Sequence, residues 1–260
     1  MNIVVCVKQV PNPTGTNRID PNTLRIMRDG TESVLDPADE FSVEAALQIM
    51  ESQPDVNVTV VSMGPDRALE AIRRGLAMGA TKGVHISDPA LAGSDALTTA
   101  KVLAAAIKRE NPDLVLCATE SSDAYTGMVP GGIAQHLGFP LLSYAKKLTV
   151  GGGKATIERQ TENGYQVVEA QLPAVVTVTG SINTPRYPAL KGIMQAKKKP
   201  VDTLTAASLG FSAEQVGEKG AKEKVLGWAP AEQRKAGTVI KDDGTAAAQI
   251  ADFLAQLKVI

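Results

Sequence analysis

The run from Ala118 to Gly132, ATESSDAYTGMVPGG, places five hydroxyls, two carboxylates and three glycines directly before the helix-like IAQHLG. Small, flexible residues at a helix start leave backbone N–H groups free, and the helix dipole there favours an anion by about 0.3–1 kcal/mol. A phosphate suits such a loop; a glycine-relaxed strand-to-helix turn with no ligand is the plainer alternative. Neither familiar nucleotide fingerprint supports the choice, because no GxGxxG follows the first apolar run and no GxxxxGK[ST] occurs. Other reactive side chains are sparse. Cys6 in IVVCV and Cys117 in LVLCA close apolar runs without CxxC spacing or a metal-binding cluster, so both are read as reduced, buried thiols. His85 and His136 stand in no pattern with a nucleophile and are read as structural. Asp36, Asp39 and Glu40 suit a helix N-terminus, and Asp242 and Asp243 a turn before the last helix. The chemistry expected is binding, and no enzyme active site is expected.

A second stretch, NTPRYPALKGIMQAKKKP from Asn183 to Pro200, sets an aromatic, prolines and a leucine beside a basic run that ends in consecutive lysines. A helix end with a solvated cationic face is the plain reading. A docking element is the sharper one. The basic character is local, since the 260 residues carry a formal net charge of -1, which argues against a dedicated nucleic-acid binder. Only 3% of residues are aromatic, too few for base-stacking platforms. With 43% hydrophobic and 21% charged residues the chain is expected to be soluble and globular. No apolar run approaches the roughly 20 residues needed to span a bilayer, and MNIVVCVKQVP reaches Lys8 too soon for a signal sequence. A cytoplasmic location without direct membrane insertion is expected.

The elements that must position these residues alternate. NIVVCVKQV, NVTVVSMGP, GVHISDP and DLVLCATES are short, β-branched and closed by Gly, Pro, Asp or Ser, as strands are. Between them ADEFSVEAALQIMES, DRALEAIRRGLAMGA and SDALTTAKVLAAAIKREN place apolar residues at helical spacing. Strands apolar on both faces predict a doubly wound, mainly parallel α/β sheet. From Leu141 to Val178 four strand-like runs separated by GGG and ENG predict an antiparallel addition to that sheet. Residues 17–35 are read as extended, with turns at Asp20-Pro21-Asn22 and Asp29-Gly30. The domain is taken as residues 1–200. Residues 201–260 are read as an extended C-terminal arm, glycine-dotted and closed by the amphipathic helix TAAAQIADFLAQLKVI, that folds back or lies on a partner. In open parallel sheets ligands bind beyond the carboxyl ends of the strands. That rule selects Lys8 to Pro13, Asp36 to Glu40, Met63 to Asp66 and Ala118 to Gly132.

The stretch LPAVVTVTGSINTPRYPALKGIMQAKKKP, Leu172 to Pro200, closely resembles the signature region of the β subunit of electron-transfer flavoproteins. MNIVVCVKQVP, LDPADEFSVEAALQI, VVSMGP, AIRRGLAMGA and DLVLCATESSD follow that family's order, so about the first 200 residues carry the resemblance strongly and the rest loosely. The resemblance implies a Rossmann-like fold of adenine-nucleotide-binding type, and an electron carrier and not an enzyme. It implies a heterodimer with an α subunit that holds most of a redox FAD and receives the arm. Electrons would come from flavin dehydrogenases, such as those of fatty acid oxidation, and pass toward a membrane quinone reductase. The β subunit of the family buries a structural AMP, and electron-bifurcating relatives with NADH as donor place a second FAD in the same pocket.

By matching position, the nucleotide contacts implied are Cys6, Asp36, Pro37, Ala38, Asp39 and Met63, together with Ala118, Thr119, Glu120, Ser121, Ser122, Asp123, Ala124, Tyr125, Thr126, Gly127, Met128 and Val129. The docking residues implied are Arg186, Tyr187, Leu190 and Lys191, with Leu190 as the apolar anchor for a dehydrogenase. Pro185 and Pro188 would stiffen the approach, and Lys191 with Lys197 to Lys199 would steer an acidic partner. The chain departs from the pattern at Ala124, Tyr125, Gly127 and Met128, where many relatives carry acidic or amide residues, and at Gln160, where a glutamate facing the α subunit is expected. A free-standing ATP-binding stress-type module shares the α/β rhythm, but the glycine pattern of its phosphate loop is not reproduced in this order.

Overall fold

The β-branched runs form strands and the amphipathic segments form helices in the order the periodicities require. The computed structural model describes residues 1–15, 18–28, 30–230, 237 and 239–260. In chain order the strands are β1 (Asn2–Cys6), β2 (Gln9–Pro11), β3 (Ser33–Leu35), β4 (Asn57–Met63), β5 (Lys82–Ile86), β6 (Leu114–Ala118), β7 (Leu141–Gly151), β8 (Lys154–Thr161), β9 (Gly164–Gln171), β10 (Ala174–Val178) and β11 (Val201–Leu204). The helices are α1 (Pro37–Ser52), α2 (Leu69–Met78), α3 (Ala96–Arg109), α4 (Val129–Leu137), α5 (Leu190–Ala196), α6 (Gly217–Gly220) and α7 (Ala246–Gln256).

Among the described residues nine strands make one sheet in the order β11-β5-β4-β1-β6-β10-β7-β8-β9. From β11 to β7 every pairing is parallel, and β8 and β9 are antiparallel. Two apolar layers sandwich it. Ile3, Val5, Val58, Val60 and Val176 point toward the layer that holds α1 and α2. Val4, Val61, Val84, Val115 and Val175 point to the layer that holds α3 and α4. Strands buried on both faces need no polar alternation, which is why β1, β6 and β10 read as continuous apolar runs. Each buried Val, Leu or Ile side chain contributes about 1.5–3 kcal/mol.

One strand departs from the expected antiparallel addition. β8 and β9 form it, but β10, the last run of that segment, inserts between β6 and β7 and is parallel to both. Its five residues are all buried, the signature of a central strand, whereas β9 is mostly exposed and ends the sheet. Within residues 17–35, Ile19 bridges Ile26 around a turn in which Asp20 Oδ1 accepts from the Asn22 N–H at 2.8 Å. Asn17 and Asp29 lie outside the described residues; Gly30 has φ +71°.

The compact unit runs from Met1 to Leu226 and so includes residues 201–226, assigned above to the arm: β11 pairs with β5. The second unit, Gly227–Ile260, is by itself a glycine-containing segment followed by α7, on which Ile250, Phe253 and Leu257 are all exposed. Among the described residues no helix is long and apolar enough to cross a membrane.

Candidate functional site

Strand order reverses at β1: the chain builds outward through β4 and β5, then returns to place β6 on the other side. Such a switch point opens a crevice beyond the carboxyl ends of the two strands. Cys6 ends β1 and Ala118 ends β6, and the loops that follow them meet over α1. Asp36 makes that meeting specific. Its Oδ1 caps α1 by accepting from the Ala38 N–H at 3.0 Å, while its Oδ2 accepts from the Ser122 N–H at 2.7 Å. A fully buried carboxylate thus ties the α1 start to the loop after β6. Asp39, on the first turn of α1, accepts from the Lys8 N–H at 2.7 Å and fixes the loop after β1.

A buried ion cluster lies in the same place. Asp123, with 1% of its side chain exposed, accepts from Lys8 Nζ at 2.6 Å and from Arg28 Nη2 at 2.5 Å. Lys8 Nζ also reaches Ser121 Oγ at 3.1 Å. Burial alone would push the Asp123 carboxyl up, but the Lys8 ammonium and the hydrogen bonds from Lys8 and Arg28 outweigh it and hold the group below the usual carboxylate range. Asp39 is pushed the other way, well above that range, by burial and then by the neighbouring Asp36 charge. Cys117 is pushed up by its hydrogen bond with Cys6 and by burial, which makes it an unreactive thiol.

Two cations therefore share one carboxylate, and about a third of each cation's side chain remains exposed. Further along the loop that carries Asp123, α4 begins without a side-chain cap. Tyr125 and Gly127 turn the loop through positive φ (+50° and +62°), and residues 124–128 are exposed. The Ser122 hydroxyl is buried and has no partner among the described residues. A helix start without a side-chain cap, two partly exposed cations and a buried hydroxyl unpaired among the described residues suit an anionic ligand with hydroxyls of its own.

Of the residues singled out from the sequence, Asp36, Asp39, Ser121, Ser122 and Asp123 are joined by this hydrogen-bond network. Asp36 and Asp39 act as internal ties, with oxygens already engaged by backbone. Pro37 and Ala38 form the first turn of α1. Cys6 meets Cys117 instead of the loop, Met63 ends β4, and Thr119 Oγ1 donates to the Val178 carbonyl at 3.1 Å. Glu120, Ala124, Tyr125, Thr126, Gly127 and Met128 face solvent, and Val129 opens α4 half-buried. Lys8 opens a loop that the strand-end rule selected but is not among the implied contacts, and Arg28 was not singled out. Lys8 follows an apolar strand where a carboxyl-end loop must begin, which was the available signal; Arg28 arrives from a sequence-distant segment. His85 is buried in β5 and His136 exposed on α4, both away from this cluster. Two surface cavities, of about 300 and 450 Å³, also lie elsewhere: one at the amino ends of the strands beside Leu137 and Phe139, the other between α1 and β7.

The second stretch leaves β10 and runs along α1 into α5. Tyr187, Leu190 and Met194 are 89%, 74% and 65% exposed, an apolar group that no described residue of the compact unit covers. Lys191, Lys197 and Lys198 are exposed as expected of steering charges. Lys199 is not: its Nζ donates to the Leu76 and Ala80 carbonyls at 2.9 and 2.6 Å and caps the end of α2. Arg186 is also turned inward, onto Glu44 and Glu51. Gln160 is exposed near the β8–β9 turn, opposite Tyr165.

The family model described as "Electron transfer flavoprotein domain" matches residues 23–209. A protein of Mycobacterium tuberculosis (strain H37Rv) named electron transfer flavoprotein subunit beta is 42% identical over 264 residues, covering 100% of this chain and 99% of its own. A protein of the same name from Megasphaera elsdenii is 39% identical over the whole of both chains. A subunit of the caffeyl-CoA reductase-Etf complex of Acetobacterium woodii is 39% identical over 87% of this chain and 86% of its own.

Proposed function

This chain belongs to the electron transfer flavoprotein family, among its β subunits, and from that premise we propose that it is one half of a heterodimeric electron carrier. It pairs with an α subunit, accepts electrons from flavin dehydrogenases such as those acting on acyl-CoA, and passes them toward a membrane quinone reductase. A cytoplasmic location goes with that role. The carrier has no substrate chemistry of its own. FAD, held mainly by the α subunit, supplies the redox centre when bound.

In this reading the switch-point cluster holds AMP. The carrying observation is the pair of cations, Lys8 and Arg28, that share the carboxylate of Asp123 on the loop leading into the uncapped start of α4. A phosphate group would take the exposed parts of Lys8 and Arg28 and the free N–H groups, and the Ser122 hydroxyl would gain a partner. Because Asp36 and Asp39 tie the loops from beneath, the nucleotide would lock α1, the β6–α4 loop and the loop after β1 together. Its role is structural. Binding of this kind stabilises by mass action, by about 2.7 kcal/mol at a hundredfold excess over Kd.

The exposed group Tyr187, Leu190 and Met194 is the dehydrogenase contact. Burying one leucine completely is worth about 1.5–3 kcal/mol, enough to orient a transient complex that must also release. A second reading, a bifurcating carrier with NADH as donor and a second FAD at the switch point, draws on the relative from a caffeyl-CoA reductase complex. The test is to purify the chain with its α subunit, denature the complex and identify the released nucleotides by mass and absorbance. One AMP and one FAD per heterodimer is the expected result. Two FAD would move the assignment to the second reading, and no nucleotide beyond a single FAD would undo the switch-point site.

A further inference from the structure

Arg186 sits one residue before the most exposed aromatic of the molecule, yet it points away from solvent partners. Its Nε donates to Glu44 Oε2 at 2.7 Å, and its Nη2 donates to Glu44 Oε1 at 2.9 Å and to Glu51 Oε2 at 3.0 Å. Nη1 closes the fork on Glu51 Oε1, and the Arg186 backbone N–H reaches Glu44 Oε2 at 3.2 Å. Glu44 and Glu51 stand two turns apart on one face of α1, with Gln48 between them donating to Glu44 at 3.1 Å. Glu44 is only 4% exposed, and the guanidinium more than offsets its burial, holding its carboxyl below the usual range. A planar fork held by two carboxylates has little freedom left to reach a second protein.

The same segment is fixed elsewhere. Before Arg186, Asn183 Nδ2 donates to the Phe41 carbonyl at 3.0 Å. After it, Gly192 lies so close to α2 that a Cβ there would stand 2.4 Å from the Ala77 carbonyl oxygen, and Lys199 caps the same helix. The exposed apolar group is therefore held on both sides by ties to α1 and α2. Free apolar side chains on a held backbone lose less conformational freedom on binding than the same side chains on a loose loop.

We propose that Arg186 is a positioning residue: its clamp on Glu44 and Glu51 fixes the conformation in which Tyr187, Leu190 and Met194 are presented to a flavin dehydrogenase, and it does not itself touch that partner. The inference rests on the docking reading above. Loss of the clamp should raise the KM of the dehydrogenase for the carrier and leave kcat unchanged, because ordering cost enters association and not the electron step.

The test compares the purified heterodimer with its Arg186→Lys and Leu190→Ala variants and the double variant. The readouts are dehydrogenase kinetics and hydrogen–deuterium exchange of the amides from Tyr187 to Ala196. Arg186→Lys, which keeps the charge and loses the fork, should speed exchange of that segment and raise KM about fivefold to tenfold at constant kcat and FAD content. In the Leu190→Ala background it should add little further. Unchanged exchange, unchanged KM, or a KM effect that persists in full without Leu190 would each overturn the proposal. Leu190→Ala leaving KM unaltered while Arg186→Lys still speeds exchange would instead sink the docking reading, and the presentation role with it. Should Arg186→Lys fail to assemble, Glu51→Gln on the exposed side of the clamp gives the same comparison.

Discussion

Asp39 and Asp123 belong to one hydrogen-bonded cluster yet their pKa values move in opposite directions: burial and then the Asp36 charge raise Asp39, while two cations outweigh burial at Asp123. Asp123 faces two cations, so its pKa is depressed, and the stability it supplies is present above its ordinary value of 3.8 and lost as pH falls through the lower folded value. Asp39 faces a second carboxylate in a buried position, so its folded pKa is raised. Between 3.8 and that raised value the folded chain binds more protons than the unfolded one, and stability declines as pH rises. Asp39→Asn keeps an oxygen for the Lys8 N–H and removes the titration. It should therefore flatten the fall in stability that sets in as pH rises above 3.8, measured by urea unfolding; a fall as steep as in the parent would show that Asp39 carries no extra proton. At this scale the sequence was informative about residues and less so about roles. The carboxylates of the Asp36 to Asp39 turn were visible as a helix start, but their second function as ties to Ser122 and Lys8 depends on contacts 86 and 31 positions away.

Elements were the most legible level. The period-3.6 segments became α1, α2 and α3, and the short β-branched runs became the parallel core. β10 shows what remains hidden: a strand that follows a hairpin pair in sequence inserts into the sheet interior, and local pattern cannot separate an interior strand from an edge one without its neighbours. Helix packing is likewise set by contacts. α4 approaches α3 at Gly132, where a Cβ would lie 2.6 Å from the Ala100 Cβ. Gly132→Ala should push the two helices apart at a cost of about 1–3 kcal/mol and shift the start of α4 beneath the proposed phosphate. Urea unfolding and nucleotide content of the purified heterodimer check it together, and a variant equal to the parent in both would contradict the close packing.

At the scale of the whole molecule, one compact unit carries the sheet, the switch-point cluster and the clamped apolar segment, and a second unit carries α7 with its apolar face exposed. The boundary was read from composition at residue 200, but β11 follows it and completes the sheet edge, because a four-residue strand with mixed burial leaves little trace in composition. The exposed apolar residues of α7 and of the α5 region are what a subunit with partners would show. Most direct is a rapid-mixing measurement in which the purified heterodimer meets a substrate-reduced acyl-CoA dehydrogenase while its flavin absorbance is followed. The carrier account expects the FAD of the heterodimer to be reduced by the dehydrogenase and not by NADH alone. Flavin that stays oxidised with every flavin dehydrogenase tried, or that NADH reduces directly, would contradict it.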